Sequence, residues 1–328
     1  MKLLFDSLRH IAGYRTVGVA VMVAVLYATL LASDAKARSW ENQMTIANRL
    51  GFYGVLTLGV GVLILSGGID LSIGSVVALG AVSFVLLARS GTHPYLAAVL
   101  VVLMGSAIGL ANGLLVTRVR LQPFLVTLCG LFVFRGLARW LSPQGSPGLG
   151  QIPAEDKPAV EMLRYWLFSG SPLGVPQVLV LLVVLAAILT VLVHWSVFGR
   201  HLYAIGFNEQ AARYAGIAVE RCKVLAYIIC STCAGLGGLL YILDNQTATP
   251  TSAGALLELY AITGAVIGGC SLRGGEGSVL GMLLGAALLP LLKQIIIFCG
   301  ISNDLEYVMI GLVLLAGTIV DQLLVRRA

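Results

Sequence analysis

The sequence is poor in charged residues, which make up only 11% of its 328 positions. Hydrophobic residues make up 58%, and the mean hydropathy is +0.95. Because soluble domains carry roughly 25% charged residues, this composition excludes a water-soluble globular chain. A membrane-crossing helix needs about 20 mostly apolar residues, so the chain can hold roughly eight to eleven such helices and no sizeable soluble domain.

Several chemical signatures are also missing. No lysine follows a glycine, so the chain lacks the Gly-Lys-Ser/Thr loop that binds the phosphates of ATP. The histidines are isolated from one another and the cysteines lack paired metal-ligand spacing. We therefore expect no metal, no cofactor and no catalytic residue in this chain. The basic residues are scattered singly between apolar runs, which argues against a nucleic-acid partner.

Ten apolar runs predict an all-α, polytopic membrane protein with about ten transmembrane helices in a single domain over residues 1–328. The runs lie at 17–32, 50–67, 72–88, 96–116, 124–141, 176–195, 224–243, 258–270, 277–298 and 305–325. With the N-terminus in the cytoplasm, the inner loops hold about twice as many Lys and Arg residues as the outer loops. The positive-inside rule therefore places both termini in the cytoplasm.

Two longer connections separate these runs. Residues 142–175 are rich in Pro and Gly and predict an irregular outer loop. Residues 196–223 predict a short cytoplasmic helix, in which Asn208 is the N-cap, Glu209 lies at the positive end of the helix dipole and Gly216 takes the left-handed closing position. About seven residues cannot hold a helix alone in water. We therefore expect this helix to dock, and its alanines allow another subunit to approach closely.

Two glycine-rich segments resemble each other. Residues 67–81 (GGIDLSIGSVVALGA) and 268–286 (GGCSLRGGEGSVLGMLLGA) share a glycine pair, a leucine and a Gly-Ser-Val step before a helix of small residues. Transporters commonly contain internal repeats whose broken helices line the substrate path. An internal repeat and a chance similarity in a glycine-rich sequence are both open interpretations.

Few polar side chains fall at membrane depth. Asp70 lies between glycines that interrupt two apolar runs, where an acid either contacts a transported solute or caps the next helix; the cap is the favoured interpretation. The other polar candidates, for each of which packing between helices is favoured when it is taken alone, are Asn112, Thr127, Asn245, Gln246, Thr247 and Glu258.

Five sequence blocks are distributed over most of the chain. They are residues 65–72 (LSGGIDLS), 111–115 (ANGLL), 122–128 (QPFLVTL), 198–213 (FGRHLYAIGFNEQAAR) and 266–281 (VIGGCSLRGGEGSVLG). Together these blocks resemble the permease subunits of binding-protein-dependent, ATP-binding-cassette (ABC) importers of the ribose, xylose and galactose class. One departure is Phe207, which stands where that family usually has glycine.

The resemblance implies a permease that moves a monosaccharide across the bacterial inner membrane. The implied partners are a cytoplasmic ABC ATPase that binds the ATP, a periplasmic sugar-binding protein, a second permease copy of the same or a different kind, and membrane lipid. An ion-coupled secondary sugar carrier is the alternative function. Such a carrier would usually place acids, or acids with basic partners, within its spans. Here the nearest are Asp70, Glu258, Arg135, Arg139 and Lys293.

The resemblance also assigns roles to residues. Segment 208–213 is similar to the coupling loop of importers, a short cytoplasmic helix that fits a cleft of the ATPase. The coupling residues are then Gly199, Arg200, Tyr203, Gly206, Asn208, Glu209, Ala211, Ala212, Arg213 and Gly216. The candidate translocation path comprises Asp70, Asn112, Thr127, Gln246 and Glu258.

Overall fold

The computed structural model describes residues 2–143, 145–169 and 175–300, together with 302, 305, 308, 311, 312 and 315. Within these ranges the chain is helical, and β-type pairing is confined to an isolated antiparallel bridge between Gly148 and Thr247. The predicted all-α fold is therefore confirmed.

The described residues form a series of α-helices along the chain. They are α1 (Lys2–Ser33), α2 (Trp40–Leu65), α3 (Ile73–Arg89), α4 (Pro94–Thr117), α5 (Pro123–Leu141), α6 (Lys157–Arg164), α7 (Gln177–Thr190), α8 (Val197–Phe207), α9 (Glu209–Tyr214), α10 (Val219–Asn245), α11 (Leu257–Ile267) and α12 (Val279–Phe298). Helical turns of other types lie at Ala35–Arg38, Leu149–Gln151, Tyr165–Ser169 and Val191–Trp195.

Seven segments of the described chain are long and apolar enough to cross a membrane. They are Thr16–Ser33, α2, α4, α5, Gln177–Trp195, α10 and α12. Two shorter apolar helices, α3 and α11, coincide with predicted spans. The tenth predicted span, 305–325, lies outside the described residues apart from positions 305, 308, 311, 312 and 315. A helical protein with many membrane spans is thus confirmed.

Helix α10 lies at the centre of the bundle and packs against α2, α3 and α4. The contact with α4 is close because α4 presents glycines to it. A methyl group on Gly109 would overlap the backbone of Tyr227, and one on Gly113 would crowd Val224. Lipid gives no hydrophobic drive for helix association, so small residues that let backbones approach supply the packing energy.

Close contacts at glycines also join α11 to α12. A methyl group on Gly268 would overlap the carbonyl oxygen of Gly281, and one on Gly285 would overlap that of Gly264. These four glycines form two pairs at four-residue spacing, Gly264 with Gly268 and Gly281 with Gly285, as is common in packing faces in membranes. The two helices therefore form a tight pair at one side of α2, against which both pack.

The prediction of an irregular loop over 142–175 is wrong in part, because α6 forms inside it. Pro158 lies in the first turn of α6, where a helix needs no backbone N–H, so the proline starts the helix instead of breaking it. Val160, in the middle of α6, is buried. The residues on the other side of this short helix are mostly exposed, which gives it the two-sided character that stabilises a helix on a protein surface.

Candidate functional site

The short helix predicted in the connection between α7 and α10 is present as α9. Its N-cap is Asn208, whose Oδ1 accepts a 2.9 Å hydrogen bond from the backbone N–H of Ala211. Gly216 closes the helix with φ of +81°, and its N–H bonds the carbonyl oxygen of Arg213 at 3.1 Å. Local capping chemistry therefore accounts for both ends of α9.

Ion pairs hold α9 against the first turns of α10. The Glu209 carboxylate contacts Lys223 Nζ at 2.5 Å and Arg213 at 3.4 Å, and Arg213 also pairs with Glu220. Partial burial alone would raise the pKa of Glu209, but the hydrogen bonds and positive charges of Lys223 and Arg213 outweigh it and lower the pKa. Glu209 is therefore ionised at neutral pH and ties α9 to a membrane-spanning helix.

The exposed surface of α9 differs from the one predicted. Ala212 is buried, so of the two alanines only Ala211 faces outward. Two aromatic side chains flank the helix instead, Phe207 with 74% and Tyr214 with 90% of its surface exposed. Large exposed aromatic groups are characteristic of protein interfaces. Sequence reasoning missed them as contact residues, although their position at either end of a short polar helix was a usable signal.

Helix α8 lies against two glycine-rich turns. Tyr203 Oη donates a 2.7 Å hydrogen bond to the carbonyl oxygen of Gly277. A methyl group on Gly206 would overlap both the carbonyl oxygen of Leu65 and the N–H of Gly275, two groups that are themselves hydrogen-bonded at 2.9 Å. The end of α2, the turn before α12 and α8 therefore meet backbone to backbone at Gly206.

The start of α8 is fixed by Ser196, whose Oγ accepts a 3.2 Å hydrogen bond from the N–H of Gly199. Gly199 is also required for packing, because a methyl group there would overlap the carbonyl group of Val193. Arg200, the next predicted coupling residue, is exposed. The two glycine-rich segments of the sequence each precede a helix, α3 or α12, and the internal repeat stays a prediction.

A buried polar cluster lies just beyond the end of α2. Asp70 Oδ1 accepts hydrogen bonds from the N–H of Ser72 at 2.8 Å and from its hydroxyl group at 2.6 Å. Ser231 of α10 donates to Asp70 Oδ2 at 3.4 Å, and Asn112 of α4 donates to Ser72 Oγ at 3.4 Å. The N-cap position of α3 is Ser72, so Asp70 holds the turn before the helix and is not the cap itself.

Thr127 belongs to the same cluster. Its hydroxyl group and that of Tyr227 each lie 3.4 Å from the carbonyl oxygen of Ile69. Three of the predicted path residues, Asp70, Asn112 and Thr127, are thus brought together around one turn, all at most 3% exposed. In this conformation they join α3, α4, α5 and α10 and do not line an open passage.

The remaining two predicted path residues lie elsewhere. Glu258 contacts Gly74 in the first turn of α3 and is attracted electrostatically by Arg135 of α5, so it borders the Asp70 cluster. Gln246 closes α10 with φ of +61° and is exposed, and its amide oxygen accepts a 2.8 Å hydrogen bond from Arg164 when the amide is oriented toward it. Among the described residues, no three His, Cys, Asp or Glu side chains converge as metal ligands would.

Comparison with known proteins gives consistent matches over most of the chain. Residues 42–317 match a family model described as a branched-chain amino acid transport system permease component. The ribose import permease protein RbsC of Bacillus subtilis is 35% identical over 284 residues, which are 86% of this chain and 84% of the relative. No solved structure matches the chain.

Two proteins of Escherichia coli match over slightly longer stretches. The inner membrane ABC transporter permease protein YjfF is 35% identical over 301 residues, 91% of this chain and 88% of the relative. The galactofuranose transporter permease protein YtfT is 30% identical over 316 residues, 93% of this chain and 89% of the relative.

Proposed function

This chain belongs to the family of ABC transport-system permease components, and from that premise we propose that it is the membrane-spanning subunit of an ATP-driven monosaccharide importer. Relatives named for ribose and galactofuranose support a sugar as the substrate. The family description names branched-chain amino acids, which are zwitterions. The sparse charge within the spans favours a neutral solute over a zwitterion, because a buried charge is retained only where it is paired.

The observation that carries the proposal is α9, a short helix that combines an exposed aromatic surface with a firm connection to the bundle. Phe207 and Tyr214 offer a contact surface for a second protein. The pair between Glu209 and Lys223 fastens the same helix to α10. We assign this surface to a separate ABC ATPase, which binds the ATP, and we place α9 and both chain termini in the cytoplasm of a bacterial cell.

A mechanical route leads from α9 into the membrane. Movement of α9 moves α8, and α8 touches the end of α2 and the turn before α12 at Gly206. The Asp70 turn follows α2 directly and joins α3, α4 and α10 through buried hydrogen bonds. Closure of the ATPase can reorient these helices only if the contacts differ between two states. Tyr203, Gly206 and Asp70 make the contacts along this route.

The complete importer contains further partners. A second permease copy, identical or different, shares the translocation path, and a periplasmic binding protein delivers the sugar to the face opposite α9. Helix α5 offers a surface for such a copy, because Phe132 and Trp140 are 68% and 74% exposed on it. In lipid such a face contacts either acyl chains or another helix.

Affinity purification of the tagged chain from detergent-solubilised membranes, with mass spectrometry of the co-purifying proteins and an ATPase assay, tests the proposal. We expect a phosphate-loop ATPase to co-purify and to hydrolyse ATP. Recovery of the chain alone, with sugar uptake that survives ATP depletion and collapses with the ion gradient, would establish a secondary carrier instead.

A further inference from the structure

A cavity of about 250 Å³ lies between α2, α10, α11 and α12. It opens beside Asp244 and Asn245, the last residues of α10, whereas α9 lies next to the first. A helix of 27 residues is about 40 Å long, so the cavity and α9 lie at opposite ends of a membrane-spanning helix. Its volume is slightly below the roughly 300–1,000 Å³ of pockets for drug-sized ligands and suits a smaller molecule.

Aromatic rings form much of the wall. Tyr53 and Tyr260 meet edge to face with ring centres 6.2 Å apart, and Phe52 lies 5.3 Å from Tyr53 and 6.4 Å from Tyr241. The faces of such rings carry partial negative charge and attract groups with partial positive charge. The C–H groups on one side of a sugar ring are such groups, so this wall can stack a carbohydrate.

Lys293 projects into the cavity from α12. Its ammonium group lies 5.3 Å from the centre of the Tyr260 ring and 5.9 Å from that of Tyr53, within the range of cation–π attraction. Lys293 lies in a membrane-spanning helix and is only half-buried. Intramembrane lysines are costly and commonly face a water-filled cavity on a substrate route. The cavity therefore holds a hydrogen-bond donor in a place that packing alone would leave apolar.

The polar lining suits a ligand with many hydroxyl groups. Asn48 Oδ1 is buried at the cavity and accepts no hydrogen bond within the described chain. A buried acceptor without a donor costs free energy, which a ligand hydroxyl group would recover. Arg49 and Asp244 are both exposed beside it and attract each other, so charges of both signs line the cavity. A lining with charges of both signs argues against a ligand with a net charge.

We propose that this cavity binds a monosaccharide on the membrane face opposite α9, with the tyrosine rings stacking on the sugar and Asn48 and Lys293 bonding its hydroxyl groups. The inference rests on the proposed function and goes beyond it, because it places a substrate site within one permease chain. None of the five path residues predicted from the sequence lines this cavity. The site is built by side chains of four helices that are distant in sequence.

The first test measures uptake of labelled D-ribose, D-xylose, D-galactose, D-fructose and L-leucine by cells that carry the whole importer. Ala255→Phe fills the cavity, and Lys293→Met removes the ammonium group but keeps a long side chain. We expect each to lower uptake of the sugar that the unaltered importer carries by about tenfold, a transition-state loss typical of substrate-contacting residues. Leu259→Phe, at an exposed position on α11, is the matched control and should change uptake little.

The second test measures occupancy of the cavity directly, with substitutions that are small enough to preserve the fold. Ser252→Cys introduces a thiol at the cavity in a chain whose two exposed cysteines are replaced by Cys129→Ser and Cys299→Ser. We expect the transported sugar to slow labelling of this thiol by a polar maleimide about threefold or more, because a bound ligand blocks access. L-leucine should leave the labelling rate unchanged.

The outcomes separate this inference from the proposed function. Sugar uptake with unaffected Ala255→Phe and Lys293→Met variants, or labelling that the sugar does not slow, overturns the cavity site and leaves the importer intact. Leucine uptake without any sugar uptake overturns the proposed substrate class and the cavity site together. If no ATPase co-purifies with the unaltered chain, the importer function itself is overturned.

Discussion

Tyr203 donates a 2.7 Å hydrogen bond to the carbonyl oxygen of Gly277, across 74 positions of sequence. Tyr203 lies on α8, next to the helix that we assign to the ATPase contact, and Gly277 lies in the turn that starts α12. Gly277 has φ of +148°, a conformation that few residues other than glycine adopt. The glycine therefore allows the turn in which its carbonyl oxygen accepts the Tyr203 hydrogen bond. The hydrogen bond therefore links α8, next to the proposed ATPase contact, to the start of the membrane-spanning helix α12.

Tyr203→Phe removes this bond and keeps the ring. A neutral hydrogen bond contributes about 0.5–1.5 kcal/mol, so we expect sugar uptake to fall by about two- to tenfold while the ATPase still co-purifies. Tyr165→Phe is the control, because it removes the hydroxyl group of a tyrosine that is 59% exposed and lies outside the proposed ATPase contact. Equal uptake by both variants would show that the Tyr203 hydrogen bond does not contribute to the coupling between the ATPase and sugar transport.

Gly206→Ala introduces a methyl group where three backbone segments meet. The added group overlaps the carbonyl oxygen of Leu65 and the backbone nitrogen of Gly275, which are hydrogen-bonded to each other, and overpacking of this kind costs about 1–3 kcal/mol. We expect a strong loss of uptake and a lower unfolding temperature in detergent. Gly18→Ala on α1, where nothing lies within 4 Å of the added group, should leave both values close to those of the unaltered chain.

Glu209→Lys reverses the charge that ties α9 to α10. We expect uptake and substrate-stimulated ATP hydrolysis to be lost while the protein remains folded in the membrane, and Ala212→Pro should act alike by breaking α9. The double variant Glu209→Lys with Lys223→Glu restores an opposite-charge pair in the other direction. Partial recovery of uptake in the double variant would show that the ion pair acts by holding α9 against α10. Failure to recover would assign Glu209 to direct contact with the ATPase.

The pH dependence of this pair has a defined sign. The pKa of Glu209 is lowered from its ordinary value of 4.5, so the stabilisation from the pair is fully present above pH 4.5 and is lost as the pH falls through the lowered value. Measured unfolding temperatures of the unaltered chain and of Glu209→Gln should therefore converge only below pH 4.5. Convergence near neutral pH would contradict the assignment.

Phe207 and Tyr214 carry the proposed contact with the ATPase. Exposed aromatic anchors commonly dominate the binding free energy of an interface, and truncation of one costs about 2 kcal/mol or more. We expect Phe207→Ala with Tyr214→Ala to abolish co-purification of the ATPase and to leave the unfolding temperature unchanged. Trp40→Ala, which removes an aromatic group of similar exposure from the start of α2, should retain the ATPase.

Asp70 is predicted to act through the turn that it holds. Asp70→Ala leaves the N–H and hydroxyl groups of Ser72 without their acceptor, a loss of about 1–3 kcal/mol that thermal unfolding should detect. Asp70→Asn keeps an acceptor oxygen and should retain most of the stability and uptake. A stable Asp70→Asn variant without uptake would instead make the carboxylate a contact of the solute.

The sequence predicts those parts of the fold that depend on local chemistry. The spans follow from runs of apolar residues, and α9 follows from an N-cap at Asn208 and a closing glycine at Gly216. Helix α6 escaped prediction because its proline was taken as a loop signal, whereas a proline in the first turn is compatible with a helix.

Relationships between distant segments could not be predicted in the same way. Nothing local to Ala212 shows that it is buried, and nothing local to Gly206 shows that Leu65 and Gly275 meet there. The Asp70 cluster was predicted residue by residue, but its assembly depends on α4, α5 and α10 packing around one turn. The cavity around Lys293 requires four helices to be placed together, which a periodic pattern in one sequence does not encode.

The central claim is that ATP drives this permease through a separate subunit. The most direct test reconstitutes the purified chain with its co-purifying ATPase and binding protein in proteoliposomes, and measures sugar transport with ATP supplied on the α9 side. We predict transport that requires ATP hydrolysis and is unaffected when the proton and sodium gradients are dissipated. Transport that proceeds without ATP and stops when those gradients are dissipated would contradict the account.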